Sequence, residues 1–148
     1  MNYLKRLKQS GEFEYSLGAN AEEIKHIEEE LGILLPEAYV NFLSECGSCN
    51  YGDVYINGIY KEKDSISYPV VELTKQLRED LHLSEDFIVL HYEVDEFLTL
   101  YKVSNKIRLK DAKVFEAEVY CNDKGEFEFD KPTPIFDSFE EYFEDFLD

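Results

Sequence analysis

NAEEIKHIEEELGILLPEAYVNFLSECG, Asn20 to Gly47, reads as two helices separated by a short break. Asn20 is placed to accept from the first-turn backbone amides, and Glu22 and Glu23 set negative charge at the positive end of the helix dipole. Ile24, Ile27 and Leu31 recur at steps of three and four, so they form one apolar stripe with Glu22, Glu29 and Glu30 turned away from it. Gly32 can take the left-handed conformation that ends a helix. Leu35-Pro36 restarts one, because proline presets the backbone angle and gives up only an amide that a first turn leaves unpaired. Tyr39, Phe42 and Leu43 are the expected buried face of this second helix, and Gly47 stops it.

Upstream, residues 3 to 9 read as a short helix with Tyr3, Leu4 and Leu7 inward and Lys5, Arg6 and Lys8 outward, suited to docking on an acidic body. Glu12 to Leu17 alternates and reads as extended. Downstream, YGDVYINGIY from Tyr51 to Tyr60 suits a pleated surface, and Asn57-Gly58 is the strongest short hairpin signal in the chain, so the stretch reads as two short strands, or as one strand and a tight loop. Lys61 to Tyr68 reads as a polar loop. Pro69 opens a helix carrying Val70, Leu73, Leu77 and Leu81. Phe87 to His91 and Phe97 to Val103 form an expected antiparallel hairpin across the acidic link Glu93 to Glu96. Val114 to Cys121 is a further strand, followed by the turn Asn122 to Gly125 and a strand from Glu126 to Phe129. Lys131-Pro132-Thr133-Pro134 should break the sheet. Ser138, with Glu141 three residues on, caps a closing helix whose buried stripe is Phe136, Phe139, Phe143, Phe146 and Leu147.

Strands that follow one another as hairpins give a mainly antiparallel sheet with helices packed against it, an α+β fold. The length of 148 residues and a 44% hydrophobic content fit one domain over 1–148 with its own core. No apolar run has the length of a membrane span, and MNYLKRLKQS lacks the apolar block of a secretion signal, so a soluble cytoplasmic protein is expected. Three cysteines cannot all pair within one chain, which fits reduced thiols.

Fifteen basic against 33 acidic residues give a net charge of −18. A field of that sign repels nucleic acid and favours a basic partner. Residues 12–45 carry nine negatives and one positive, and residues 114–148 carry twelve and two. Lys102, Lys106, Arg108, Lys110 and Lys113, with Asp111 among them, make a basic island that can face one of these acidic segments within the fold.

The order and spacing of Glu28, Leu31, Gly32, Leu35, Pro36, Tyr39, Phe42, Leu43 and Gly47, with Ser138, Phe139, Tyr142 and Phe143 near the end, resemble the SUKH superfamily, the Smi/Knr-type domain. Within it the chain is similar to the YobK-like proteins of bacilli, although Cys46-Gly47-Ser48 stands where the family often has Asn-Gly-Gly. The resemblance implies a SUKH-like domain over the whole chain and an immunity protein, an antitoxin that neutralises a toxin, often a nuclease. It also permits a regulatory scaffold that binds a cellular protein in cell-wall signalling.

A search for chemistry does not favour an enzyme. Cys46 of the Cys46-x-x-Cys49 pair lies at the carboxyl end of a helix, where the dipole raises rather than lowers a thiol pKa. Zinc would need four ligands, and only Cys121 and the scattered His26, His82 and His91 could join the pair. No nucleophile elbow or phosphate-binding glycine loop is present, and Asp123 to Asp130 lacks the ligand spacing of a calcium loop. No cofactor is therefore expected; the resemblance implies a protein toxin as the partner, and with the net charge it makes the basic C-terminal nuclease domain of a secreted polymorphic toxin the expected one. The expected contact surface combines aromatics and carboxylates on non-helical segments: Tyr51, Asp53, Tyr55, Tyr60, Glu62 and Asp64, edged by Glu93, Asp95 and Glu96. The competing reading assigns the tyrosines to the core.

Overall fold

The computed structural model describes residues 1–148. In chain order the elements are α1 (Tyr3–Gln9), β1 (Glu14–Tyr15), α2 (Ala21–Leu31), α3 (Glu37–Cys46), β2 (Cys49–Tyr51), β3 (Val54–Ile56), β4 (Tyr60–Lys61) and β5 (Ile66–Ser67). They continue with α4 (Pro69–Asp80), β6 (Phe87–Glu93), β7 (Phe97–Lys102), β8 (Val114–Cys121), β9 (Phe127–Phe129), β10 (Thr133–Phe136) and α5 (Phe139–Leu147). Every strand pairing is antiparallel, so the chain has the α+β architecture that its hairpin order implies.

The main sheet runs β10-β8-β7-β6, with β9 also on β8. Both of its faces are covered. Ile88, Leu90, Tyr101, Val103 and Val114 join one core with residues of α1, α2, α3 and α5, while Val89, Leu98, Leu100 and Val119 join a second with Leu77 of α4. A strand buried on both faces needs apolar residues at every position, which is why Phe87 to Leu90 is continuous rather than alternating. Thr74 of α4 helps to anchor the helix: its hydroxyl oxygen accepts from the Val89 amide at 3.1 Å.

The paired helices form as their punctuation dictates. Asn20 accepts from the Glu23 amide at 2.9 Å while the Glu23 carboxylate accepts from the Asn20 amide at 2.9 Å, a complete capping box, and Gly32 ends α2 at φ 67°. The basic island faces the acidic helix through one residue above all: Arg108 reaches Glu28 of α2 at 2.7 Å and the Leu35 carbonyl at 2.7 Å. On the other side of the fold, α1 docks on α5 through the Arg6–Glu144 pair.

Three local expectations need correction. Asn57-Gly58 is not a hairpin turn; the tight turn is Gly52-Asp53 between β2 and β3, with Gly52 at φ 60°. Asn57 is instead buried. Its side-chain amide donates to Val89 O at 3.1 Å, its backbone amide donates to Leu90 O at 2.8 Å, and its carbonyl accepts from the Tyr39 hydroxyl at 2.6 Å. Lys61 to Tyr68 is not only a loop, because β4 and β5 form a small hairpin within it. Nor do the prolines end the sheet: β10 continues past Pro132 along the far edge of β8, where Pro134 lacks a donor but has a neighbour on one side alone, beside a register shift.

Gly58 is needed for contact rather than for turning. A β-carbon there would lie 2.0 Å from the Gly47 carbonyl oxygen, and the next residue, Ile59, donates to that same oxygen at 2.9 Å. Gly58→Ala is therefore expected to cost about 3 kcal/mol by prying two backbones apart. Urea denaturation measures it; a loss under about 1 kcal/mol would mean that the loop yields without strain.

Candidate functional site

The ribbon β1-β2-β3 and the hairpin β4–β5 stand beside the amino-terminal half of α4, and a groove of about 420 Å³ opens between them. Asp53, Tyr55 and Tyr60 line it with Asn50, Pro69 and Leu73. Three of the residues singled out from the sequence are thus brought together. The turn Gly52-Asp53 presents the first, and Tyr60 is 54% exposed at the start of β4. Glu62 and Asp64 follow on the exposed β4–β5 turn, which is closed by the Glu62 amide donating to Ser65 O at 2.9 Å. Its base is fixed by the Lys61 ammonium, 2.7 Å from Glu23 in the α2 cap.

The other residues divide. Tyr51 is also exposed but faces the opposite side of the ribbon, where its ring lies 5.5 Å from Phe13, in an apolar depression with Val54 and Phe146. Tyr55 is half-buried. Its hydroxyl accepts from the Tyr92 amide at 3.2 Å and donates to the Tyr92 carbonyl at 3.3 Å, so it ties β3 to β6 and forms a fixed wall. Glu93 lies 3.3 Å from the Nε2 of buried His91, whose Nδ1 faces the Tyr55 carbonyl at 3.1 Å. Asp95 and Glu96 occupy the β6–β7 turn; Asp95 opens onto a separate concavity on the far side of Tyr92.

Sequence reasoning missed Asn50, Pro69 and Leu73 as lining residues. Leu73 reads from the sequence only as a member of the apolar α4 stripe, and in the fold it is half-buried where Val70 and Leu77 are buried.

The chemistry available is that of recognition. Burial pushes the Cys46 thiol up to about 12, with the Glu45 charge adding to it, and raises the Cys49 thiol in the same way. Both cysteines are enclosed small side chains, Cys46 ending α3 as its apolar position requires. His26 lies against the Tyr68 ring at 4.5 Å, His82 follows α4, and His91 is held under the ribbon. No three His, Cys, Asp or Glu side chains converge as metal ligands. No helix is long and apolar enough to cross a membrane.

The chain thus combines an α+β fold with a groove edged by Tyr55, Tyr60 and Asp53. The family model described as the SMI1 / KNR4 family (SUKH-1) matches residues 18–145, and the chain belongs to that family. Its members work through protein partners, in immunity or in regulation. No curated protein matches the chain.

Proposed function

We propose that this chain is an immunity protein that binds and neutralises a basic toxin domain, a nuclease above all, without catalysing a reaction. The observation that carries the reading is acidity beside exposed aromatics in an SMI1 / KNR4 fold: Asp53 lines the groove with Tyr60, Glu62 and Asp64 follow on the adjoining turn with Lys63 between them, and none of the three carboxylates enters an ion pair. A nuclease surface must attract phosphate and is therefore positive. A net charge of −18 steers such a surface toward the chain, and fixed aromatic side chains then hold it. Glu93, Asp95 and Glu96 extend the negative edge, and Tyr55 keeps the groove open. Tyr51 serves the same partner only if the contact wraps around the ribbon. The reading takes residues 1–148 as one cytoplasmic domain.

Co-expression with the C-terminal domain encoded beside this chain tests the reading. A stable complex with nuclease activity suppressed is the expected result. A partner that binds but has no toxic activity would instead favour a regulatory scaffold, the other role found in the family. With that complex in hand, reversing Asp53, Glu62 and Asp64 to lysine should slow association at low salt by on the order of tenfold or more and leave the thermal midpoint nearly unchanged. The difference should shrink at high salt, as screening cuts long-range steering. Stopped-flow fluorescence reads both; association rates equal to wild type would exclude this patch.

A further inference from the structure

Below the first groove, along the same helix, lies a larger concavity of about 760 Å³ between the carboxyl half of α4, the β6–β7 turn and the β8–β9 hairpin. The two concavities are neighbours, since Tyr55 lines one, Tyr92 lines the other, and the two residues are hydrogen bonded. Asp80, Asp95, Glu126 and Glu128 line the larger one, which contains neither lysine nor arginine. None of these four carboxylates enters an ion pair. Aromatic side chains share the lining: Phe127, 43% exposed, and Phe129 alternate with Glu126 and Glu128 leading into and along β9, Tyr120, 47% exposed, stands opposite Glu128 on β8, and Tyr92 completes the set. His82 at φ 55° and Asp95 at φ 64°, the two non-glycine residues in the left-handed region, both stand on its rim.

We propose that this groove docks an extended, arginine-bearing segment of a protein partner. Charge complementarity selects the occupant. Four carboxylates without a cation of their own leave a strong negative field over a concave surface, and guanidinium groups both neutralise carboxylates and stack on aromatic rings. Shape selects an extended segment. The α4 wall from Gln76 to Leu81 is roughly 8 Å long, close to the roughly 6.6 Å between residues i and i+2 of an extended strand. Two arginines at alternate positions can therefore lie on the same side against this wall. In the complex proposed above, the segment would belong to the toxin and the groove would continue the first contact surface. The inference rests on that reading for the partner's identity, and on the groove alone for its chemistry.

The probe is a fluorescein-labelled, acetylated peptide of alternating arginine and serine, titrated at physiological salt and followed by anisotropy. The variant Glu126→Lys with Glu128→Lys is expected to weaken binding at least about tenfold. The charge-matched variant Glu12→Lys with Glu29→Lys, on exposed sites away from the groove, should lose only about twofold to threefold. Phe127→Ser, which changes no charge, should lose about fivefold. Circular dichroism melts confirm that each variant folds. Equal losses in the two charge-reversed variants, or no measurable peptide binding to wild type, would overturn the proposal.

The toxin assay separates this inference from the immunity reading. Peptide held in the groove while the neighbouring toxin domain is not bound would remove the immunity reading and keep the groove. Full neutralisation of the toxin by the Glu126→Lys, Glu128→Lys variant would do the reverse.

Discussion

Tyr3→Ala is expected to destabilise the fold by about 4 kcal/mol, a fall in thermal midpoint of roughly 12 °C for a chain of this size. Tyr3 is 1% exposed, and its ring meets Phe143 at 4.9 Å, Phe42 at 5.8 Å and Phe139 at 5.9 Å, all edge-on or nearly so. Its ring thus joins α1 to α3 and α5 at one place. Truncation would remove three aromatic contacts and leave a cavity between elements that cannot close independently. The residue also lies outside the 18–145 span of the family match, so the measurement decides whether α1 belongs to the cooperative unit. A loss under about 1 kcal/mol would show that it does not.

Tyr3→Phe should have the opposite sign. The Tyr3 hydroxyl is buried without a hydrogen-bond partner, and burial, with Glu140 and Asp111 nearby, holds its pKa far above the usual tyrosine range. Removing an unsatisfied hydroxyl and keeping the ring should gain up to about 1 kcal/mol. A destabilised phenylalanine variant would mean that the hydroxyl has a partner.

The helices are legible in the sequence because each carries its own punctuation. Asn20, Gly32, Gly47, Pro69 and Ser138 act within a few residues of themselves, and no distant segment is needed to read them. The hairpin β6–β7 and the strand β8 are legible for a related reason: their apolar runs are long, and their links are short. What escapes is structure that depends on a distant partner. Two-residue strands such as β4 and β5 bury almost nothing and exist through backbone pairing, so Lys61 to Tyr68 reads only as polar. Asn57-Gly58 carries a strong local turn signal that loses to tertiary contacts, a buried amide on β6 and a glycine pressed against Gly47. The Gly52-Asp53 dipeptide, five residues earlier, carried a weaker version of the same signal and forms the turn.

The candidate surface is legible in part for the same reason. Charge and tyrosine content can be read from composition, and Asp53 and Tyr60 line one groove while Glu62 and Asp64 lie on the exposed turn after β4. Strand parity, however, sends Tyr51 to the opposite side from its neighbours Asn50 and Gly52, and that parity depends on where the hairpin turns. The wall formed by Pro69 and Leu73 depends on where α4 lies in space, which no local pattern encodes. Glu126-Phe127-Glu128-Phe129 did carry a readable pattern. Strict alternation of acid and aromatic on a short edge strand is a surface built for contact as much as a strand built for a core.

The second large effect is expected at Asp111. Its Oδ1 accepts from the Tyr101 hydroxyl at 2.7 Å, from the Ala112 amide at 2.7 Å and from the Phe139 amide at 2.8 Å. A carboxylate inside the basic island is thus a bridge between β7 and the amino terminus of α5, where its charge also meets the positive end of the helix dipole. Ser138 cannot take over this work, because its side chain is occupied by the Glu141 amide at 3.1 Å, while the Glu141 carboxylate reaches back to the Asp137 amide. Asp111→Ala should cost about 3 kcal/mol, since it strands the fully buried Tyr101 hydroxyl and the first amide of α5. Asp111→Asn retains an acceptor of the same shape and should cost about 1 kcal/mol, chiefly the loss of charge at the helix end. Adding Tyr101→Phe to Asp111→Ala should recover about 1 kcal/mol, because the stranded hydroxyl is gone. A double-mutant cycle in urea measures the coupling. If Tyr101→Phe brings no recovery, the cost lies in α5 alone, and the bridge to the sheet contributes nothing to holding the closing helix in place.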